Sequence, residues 1–205
     1  DLEAARERLR PMLEGWPGEA PQVHLLHMLK IQVDCDLYAG DAPGAWRRVL
    51  DQWPMLEQLG FSRLSTRRTE VFHLRARAAL ALLAHDPGPN LHLRAIVDSD
   101  LEQLAREPMI HARPLEAMLR ASLYAIAGDQ KAVLQRLSGA IYGFDAAGMS
   151  LFATVARRCK GQWTEGREGR KIVQQADVFM RMQDIAEPQR WVAMVAPGFM
   201  LGHAS

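Results

Sequence analysis

The sequence predicts an all-α protein of about ten antiparallel helices stacked as hairpins, and three observations carry that prediction. Ala-Gly-Asp occurs at 39–41 and again at 127–129, both times between stretches of helical periodicity. Gly40 and Gly128 are 88 positions apart, two units of 44, and a third helix break, Asp86-Pro87-Gly88, falls near the midpoint. Almost everywhere else apolar residues recur at helical spacing, and strand signals are scarce. Regular punctuation of this kind marks stacked helical hairpins.

Taken in order, an opening helix is expected over 2–13, stopped by Gly15 and Pro17. The next runs over 21–39, where Leu26, Leu29, Val33 and Leu37 draw one apolar stripe. Gly40 ends it, Asp41 caps the helix of 42–58, and Pro43 suits that helix's first turn. Trp46, Val49, Leu50, Trp53 and Leu56 share a face there, and Pro54 is expected to kink the helix because it removes a backbone donor. The strongest helix spans 66–85. Val71, Leu74, Ala78 and Leu82 form one line on it, and Phe72, Ala76, Ala79 and Leu83 form a second. A helix apolar on two sides lies between neighbours.

Past Asp86-Pro87-Gly88-Pro89, a helix of 91–106 carries Leu93, Ile96, Val97, Leu101 and Leu104. Helices of 112–127 and 130–145 follow, the second built on Leu134, Leu137, Ile141 and Phe144. Then come 149–160, 167–182 and a short helix of 188–196 opened by Pro188 and stopped by Pro197-Gly198. Links this short force neighbouring helices to run antiparallel. The hairpins are 21–58, 66–106, 112–145 and 149–182, within a single helical-repeat domain of 1–205. The architecture is a tetratricopeptide-like α-α superhelix.

Composition narrows the function classes. Lys and Arg number 25 against 24 Asp and Glu, which argues against a nucleic-acid surface and gives no reason to expect a membrane partner. No run of about 18 apolar residues exists to span a bilayer. Cys35 and Cys159 are too few for a disulfide framework or a zinc set, so a reduced, cytoplasmic setting is expected. The first residue is Asp1 rather than Met, from which a piece of a longer protein is expected.

The candidate chemistry is sparse. His24 and His27 share a helix face, but Cys35 lies roughly 16 Å further along at 1.5 Å per residue, too far for one ion. Gly161-Gln162-Trp163-Thr164-Glu165-Gly166 has the glycine spacing of a phosphate loop. Arg167-Glu168 stands where Lys-Ser/Thr must follow, and no strand precedes it, so a helix end at Gly161 and a helix start near Glu165 is the reading. Asp34/Asp36 and Asp98/Asp100 are spaced by two and point to different faces of their helices, so neither pair can act on one bond. No nucleophile–base constellation can be assembled, and neither a catalytic residue, a cofactor-binding residue nor a metal ligand is expected. Arg63, Arg67, Arg68 and Arg75 are the candidate partner-binding residues, a basic stripe for an acidic peptide, to be weighed against a solvated face balanced by Glu70 and other acids. Trp163, in a turn, is the tryptophan to test for exposure.

The last sixty residues are less generic. They carry Met149-Ser-Leu-Phe-Ala-Thr-Val-Ala-Arg-Arg158, Gly161, Glu165-Gly166, Glu168-Gly169 and Ala176-Asp177, then Gln183-Asp-Ile-Ala-Glu-Pro188-Gln-Arg190 and Met194-Val-Ala-Pro197-Gly198-Phe199. With Leu37-Tyr38, Ala45-Trp46, Trp53-Pro54 and Leu74-Arg75-Ala76-Arg77-Ala78-Ala79-Leu80-Ala81, most of the chain resembles the C-terminal tetratricopeptide-like region of large bacterial (myxobacterial-type) Ser/Thr protein kinases and related multidomain ATPase-kinase signalling proteins. It departs at Glu165-Gly166, where that family often has a Gly-Gly pair. The resemblance implies a kinase domain upstream that would use ATP and magnesium, with none of its residues in this fragment. It further implies that this region is a docking or sensing appendage.

The expected function is therefore a non-catalytic protein- or peptide-interaction module with no cofactor of its own, binding a partner segment on a concave face. The alternative is a small-molecule effector-sensing helical-repeat domain, using an apolar pocket between hairpins.

Overall fold

The computed structural model describes Glu7 and residues 22–61, 63, 65–86, 88 and 90–199. The helix expected over 2–13 lies outside them, apart from Glu7. The described chain is all-α: nine helices and no strand among the described residues. They are α1 (Gln22–Ala39), α2 (Ala42–Gln58), α3 (Ser65–His85), α4 (Leu91–Arg106), α5 (Ala112–Ile126), α6 (Gln130–Ala146), α7 (Ser150–Gln162), α8 (Gly166–Met182) and α9 (Pro188–Val195). Their ends lie within a residue or two of the expected ones.

The Ala-Gly-Asp repeat is a two-residue reversal. At the first copy, the Gly40 N–H donates to the Leu37 carbonyl at 3.1 Å and the Asp41 N–H donates to Asp36 at 2.9 Å. That satisfies the last carbonyls of α1 and requires the left-handed backbone of Gly40, at φ +84°. Asp41 then accepts from the Gly44 N–H at 2.9 Å and starts α2. Gly128 and Asp129 repeat every step between α5 and α6, with Asp129 accepting from the Ala132 N–H at 3.0 Å. Gly148 makes the same helix-ending turn between α6 and α7, as Gly60 does after α2.

Each helix from α1 to α7 packs on its successor. The odd-numbered helices also meet one another, α1 with α3 and α3 with α5, whereas no comparable contact joins the even-numbered ones. α1, α3 and α5 thus share one layer of contacts. α3 is its centre, packed on α1, α2, α4 and α5. Both of its lines are buried, with Val71, Leu74 and Ala78 on one and Phe72, Ala76, Ala79 and Leu83 on the other. The alanines keep the axes close. α2 continues through Pro54 as one helix. The carbonyl this proline leaves unpaired is that of Leu50, half exposed on the outer face, where water can satisfy it.

The last two hairpin helices cross on glycine. A Cβ at Gly169 of α8 would stand 1.9 Å from the Thr164 oxygen and 2.5 Å from the Gly161 oxygen, so only glycine fits. α7 runs through Gly161 to Gln162 rather than ending at that glycine.

After α8 the chain turns back. α9 packs against α7 and α8 and also against α1, the first helix of the described array. Gly198 then lies on the end of α5, where a Cβ would sit 3.1 Å from the Ser122 oxygen and 3.3 Å from Ile126 Cγ1. Val192, Met194, Val195 and Phe199 are buried by this return. Residues 188–199 are therefore laid on α1, α5, α7 and α8 and join the two ends of the described array.

Candidate functional site

Of the four candidate arginines, Arg63 is exposed in the turn before α3. The other three lie on α3 and each meets an acid of this chain. Arg67 pairs with Glu70 at 3.1 Å, and Glu70 also receives Lys30 of α1 at 2.9 Å. Arg68 reaches Glu107, at the end of α4, at 2.8 Å. Arg75 donates twice to Asp100 of α4, at 2.8 and 2.5 Å, and its guanidinium lies 3.5 Å from the centre of the Trp53 ring. Burial pushes the Glu70 carboxyl up, but Lys30 and Arg67 more than offset it and hold it below the ordinary range. At Asp100, which is fully buried, burial wins over Arg75 and its carboxyl lies above that range. What looked like one basic stripe is, in large part, a set of clamps between helices.

The paired aspartates show how the clamps are arranged. Asp34 meets Arg77 of α3 and Asp36 meets Arg48 of α2, so one stretch of α1 grips two neighbours. Asp98 and Asp100 repeat this on α4, reaching Arg120 of α5 at 3.5 Å and Arg75 of α3. Arg158 of α7 holds Asp177 of α8 at 2.6 Å. Sequence reasoning missed these assignments. The signal was present as arginines among alanines in 74–81, where a long cation can extend between close-packed helices.

His73 of α3 is buried at Nε2 with no partner for that nitrogen among the described residues. Burial, reinforced by Arg77, Lys30 and His111, holds its pKa well below the ordinary value of 6.5. It therefore sits in the array as a neutral imidazole. His24 and His27 are exposed on α1, and no cluster of metal-ligating side chains occurs among the described residues. Cys35 and Cys159 are both unbridged, and burial pushes the Cys159 thiol up to about 12 despite the opposing pull of Arg158. No helix of the described residues is long and apolar enough to cross a membrane.

An open cleft of about 1040 Å³ lies at the α5–α6 and α7–α8 turns. The glycine run 161–166 forms one wall, and Gln130, Arg170, Gln174, Asp177 and Arg181 contribute polar groups. Gln130 bridges the two turns by donating to the Trp163 carbonyl at 2.9 Å. Trp163 is only 8% exposed, contrary to what its place in a turn suggests. Comparison with protein-family models, curated proteins and solved structures finds no match for this chain.

Two surfaces remain as candidates: this cleft, and the face under the C-terminal segment. The second has a visible occupant. α9 is a short helix with Val192 and Val195 buried, and it packs on α1, α7 and α8.

Proposed function

We propose that this chain is a non-catalytic interaction module, a tetratricopeptide-like superhelix that takes up an amphipathic helical segment of a protein partner on the face its C-terminal segment covers. The observation that carries the reading is the chain's own C-terminal segment, an apolar short helix already laid across α1 and α7. A face that accepts this helix has the shape and apolarity to accept another of the same pattern. This face is not an open groove, so a partner must compete with residues 188–199. Ion pairs lock α1 to α5 together and support a preformed face rather than a flexible one. By the sequence resemblance, the module serves a bacterial Ser/Thr kinase or a related signalling protein in the cytoplasm, with ATP and magnesium used by an upstream domain.

The test is titration of a labelled peptide with the sequence of residues 186–199 into the full chain, followed by nuclear magnetic resonance. Shifts gathered on α1, α5 and α7 support the reading. Saturating peptide that shifts only α2, α4 and α6 would remove it. Incubation with ATP and a generic substrate should give no phosphotransfer, and turnover would contradict a non-catalytic role.

A second reading, a small-molecule sensor, is favoured by the 1040 Å³ cleft, whose volume suits a compact polar effector. It requires a ligand that raises the melting temperature of the wild type but not of Gln174→Leu with Arg170→Ala.

A further inference from the structure

We infer that residues 183–199 form a latch that opens as a unit at Asp184 while helices α1–α8 stay folded. The inference rests on the reading of the surface under this segment as a helix-docking face.

The hinge comes first. α8 ends in the same turn that ends α1, α2, α5 and α6: the Asp184 N–H donates to the Arg181 carbonyl and the Ile185 N–H to the Met180 carbonyl, both at 3.1 Å. The other four turns place glycine at the left-handed position. Here it is Asp184, at φ +61°, the one non-glycine residue with positive φ among the described residues. That conformation is disfavoured for an L-residue, less so for aspartate, and it is kept only while the turn is held. The turn that launches the closing segment is thus the weakest of its kind in the array.

The closing segment's attachment is equally distinctive. The α1–α2, α3–α4 and α7–α8 hairpins are each fastened by an ion pair between their helices, such as Arg75–Asp100 or Arg158–Asp177, and Arg157–Asp145 ties α6 to α7. Among the described residues, no side chain of 183–199 makes a hydrogen bond or ion pair. Its backbone bonds stay local too, as from the Trp191 N–H to Glu187 and from the Ala196 N–H to Val192. Apolar contact alone holds it, through Val192, Met194, Val195 and Phe199. Trp191 even buries its indole N–H without an acceptor, and opening would return that donor to water. A helix of eight residues has little stability of its own, so once undocked it also unwinds. No polar fastening, an unpaired donor and a left-handed aspartate all lower the free energy of local opening relative to global unfolding.

Hydrogen exchange on the full chain tests this directly. Amides of residues 191–196 should exchange at least about 100-fold faster than interior amides of α3 and α5, with little dependence on denaturant. Exchange at the same rate as α3, with the same denaturant slope, would overturn the latch. Val192→Asp provides the second arm. It should abolish protection in 188–199 while helicity and the protection of α3 and α5 persist, whereas collapse of the whole array would show the segment to be integral. The peptide of residues 186–199 then separates the two claims. Capture by Val192→Asp at least about tenfold tighter than by the wild type supports the latch and the docking face together, because the tethered segment no longer competes. An open variant that takes up no peptide removes the docking face and leaves the latch standing.

Discussion

Arg75 and Asp100 face each other across α3 and α4 as a two-bond pair, 2.8 and 2.5 Å long, with the Trp53 ring of α2 stacked on the guanidinium. Three helices from two successive hairpins therefore meet at one charge. Asp100 has no exposure to solvent, so its carboxylate depends on Arg75 for neutralisation.

Arg75→Met should accordingly destabilise the array by about 3–5 kcal/mol, because it strands a buried carboxylate. Arg75→Met combined with Asp100→Leu should cost far less, since both charges leave together. Denaturant unfolding of the two single variants and the double variant checks this. Additive losses would mean that the pair carries no coupling.

His73 sets an acid-side dependence. Its folded pKa lies below the ordinary 6.5, so the unfolded chain binds more protons as pH falls below that value. Stability contributed by neutral His73 is present above about pH 6.5 and is lost as pH drops toward the folded pKa, at no more than about 1.4 kcal/mol per pH unit. Asp100 works in the opposite sense. Its raised pKa favours the fold below the ordinary 3.8, and that advantage is lost as pH rises through the folded value. His73→Leu should flatten the stability difference between pH 7.5 and 5.5. An unchanged slope would assign the dependence to other groups.

The hairpins were legible because their signals are local. Gly40-Asp41 and Gly128-Asp129 each end one helix and start the next within two residues, so the turn chemistry and the position coincide. The spacing of Asp34/Asp36 and Asp98/Asp100 likewise required divergent partners, and each member of a pair does reach a different helix. The partners' identities were not legible. Arg77 lies 43 positions from Asp34 and Arg75 lies 25 from Asp100, separations at which nothing in the local pattern selects one arginine over another. The return of 188–199 onto α1 was hidden for the same reason, since an apolar octamer does not say which apolar face it covers. Trp163, the tryptophan to test for exposure, is buried although it lies in a turn, because burial is set by packing that the local sequence does not show.

The glycines divide into two kinds that substitution will separate. At Gly169 an added Cβ meets backbone oxygen at 1.9 Å and the crossing of α7 and α8 must shift, so Gly169→Ala should lose 1–3 kcal/mol or more, on the order of an overpacked core. Gly139, inside α6, has nothing within 4 Å of the same atom. Gly139→Ala should gain about 0.5–1 kcal/mol by favouring the helix. Thermal melts of the two variants should move in opposite directions. A neutral Gly169→Ala would mean that α7 and α8 can separate freely.

Asp184→Gly bears on the latch. Glycine adopts φ +61° without the steric conflict aspartate meets there, and the turn it would complete is the one Gly40, Gly60, Gly128 and Gly148 already make. The docked state should therefore gain about 0.5–1 kcal/mol relative to the opened segment, reduced somewhat by glycine's greater freedom once undocked. Two consequences follow if the hinge lies at this residue. Exchange of the 191–196 amides should slow several-fold in Asp184→Gly, while that of α3 barely changes, because the substitution acts on local opening and not on the core. Uptake of the 186–199 peptide should weaken by the same factor, since the tethered segment now competes better. A variant that slows exchange equally in α3 and α9 would place the gain in global stability and deny Asp184 a role as hinge.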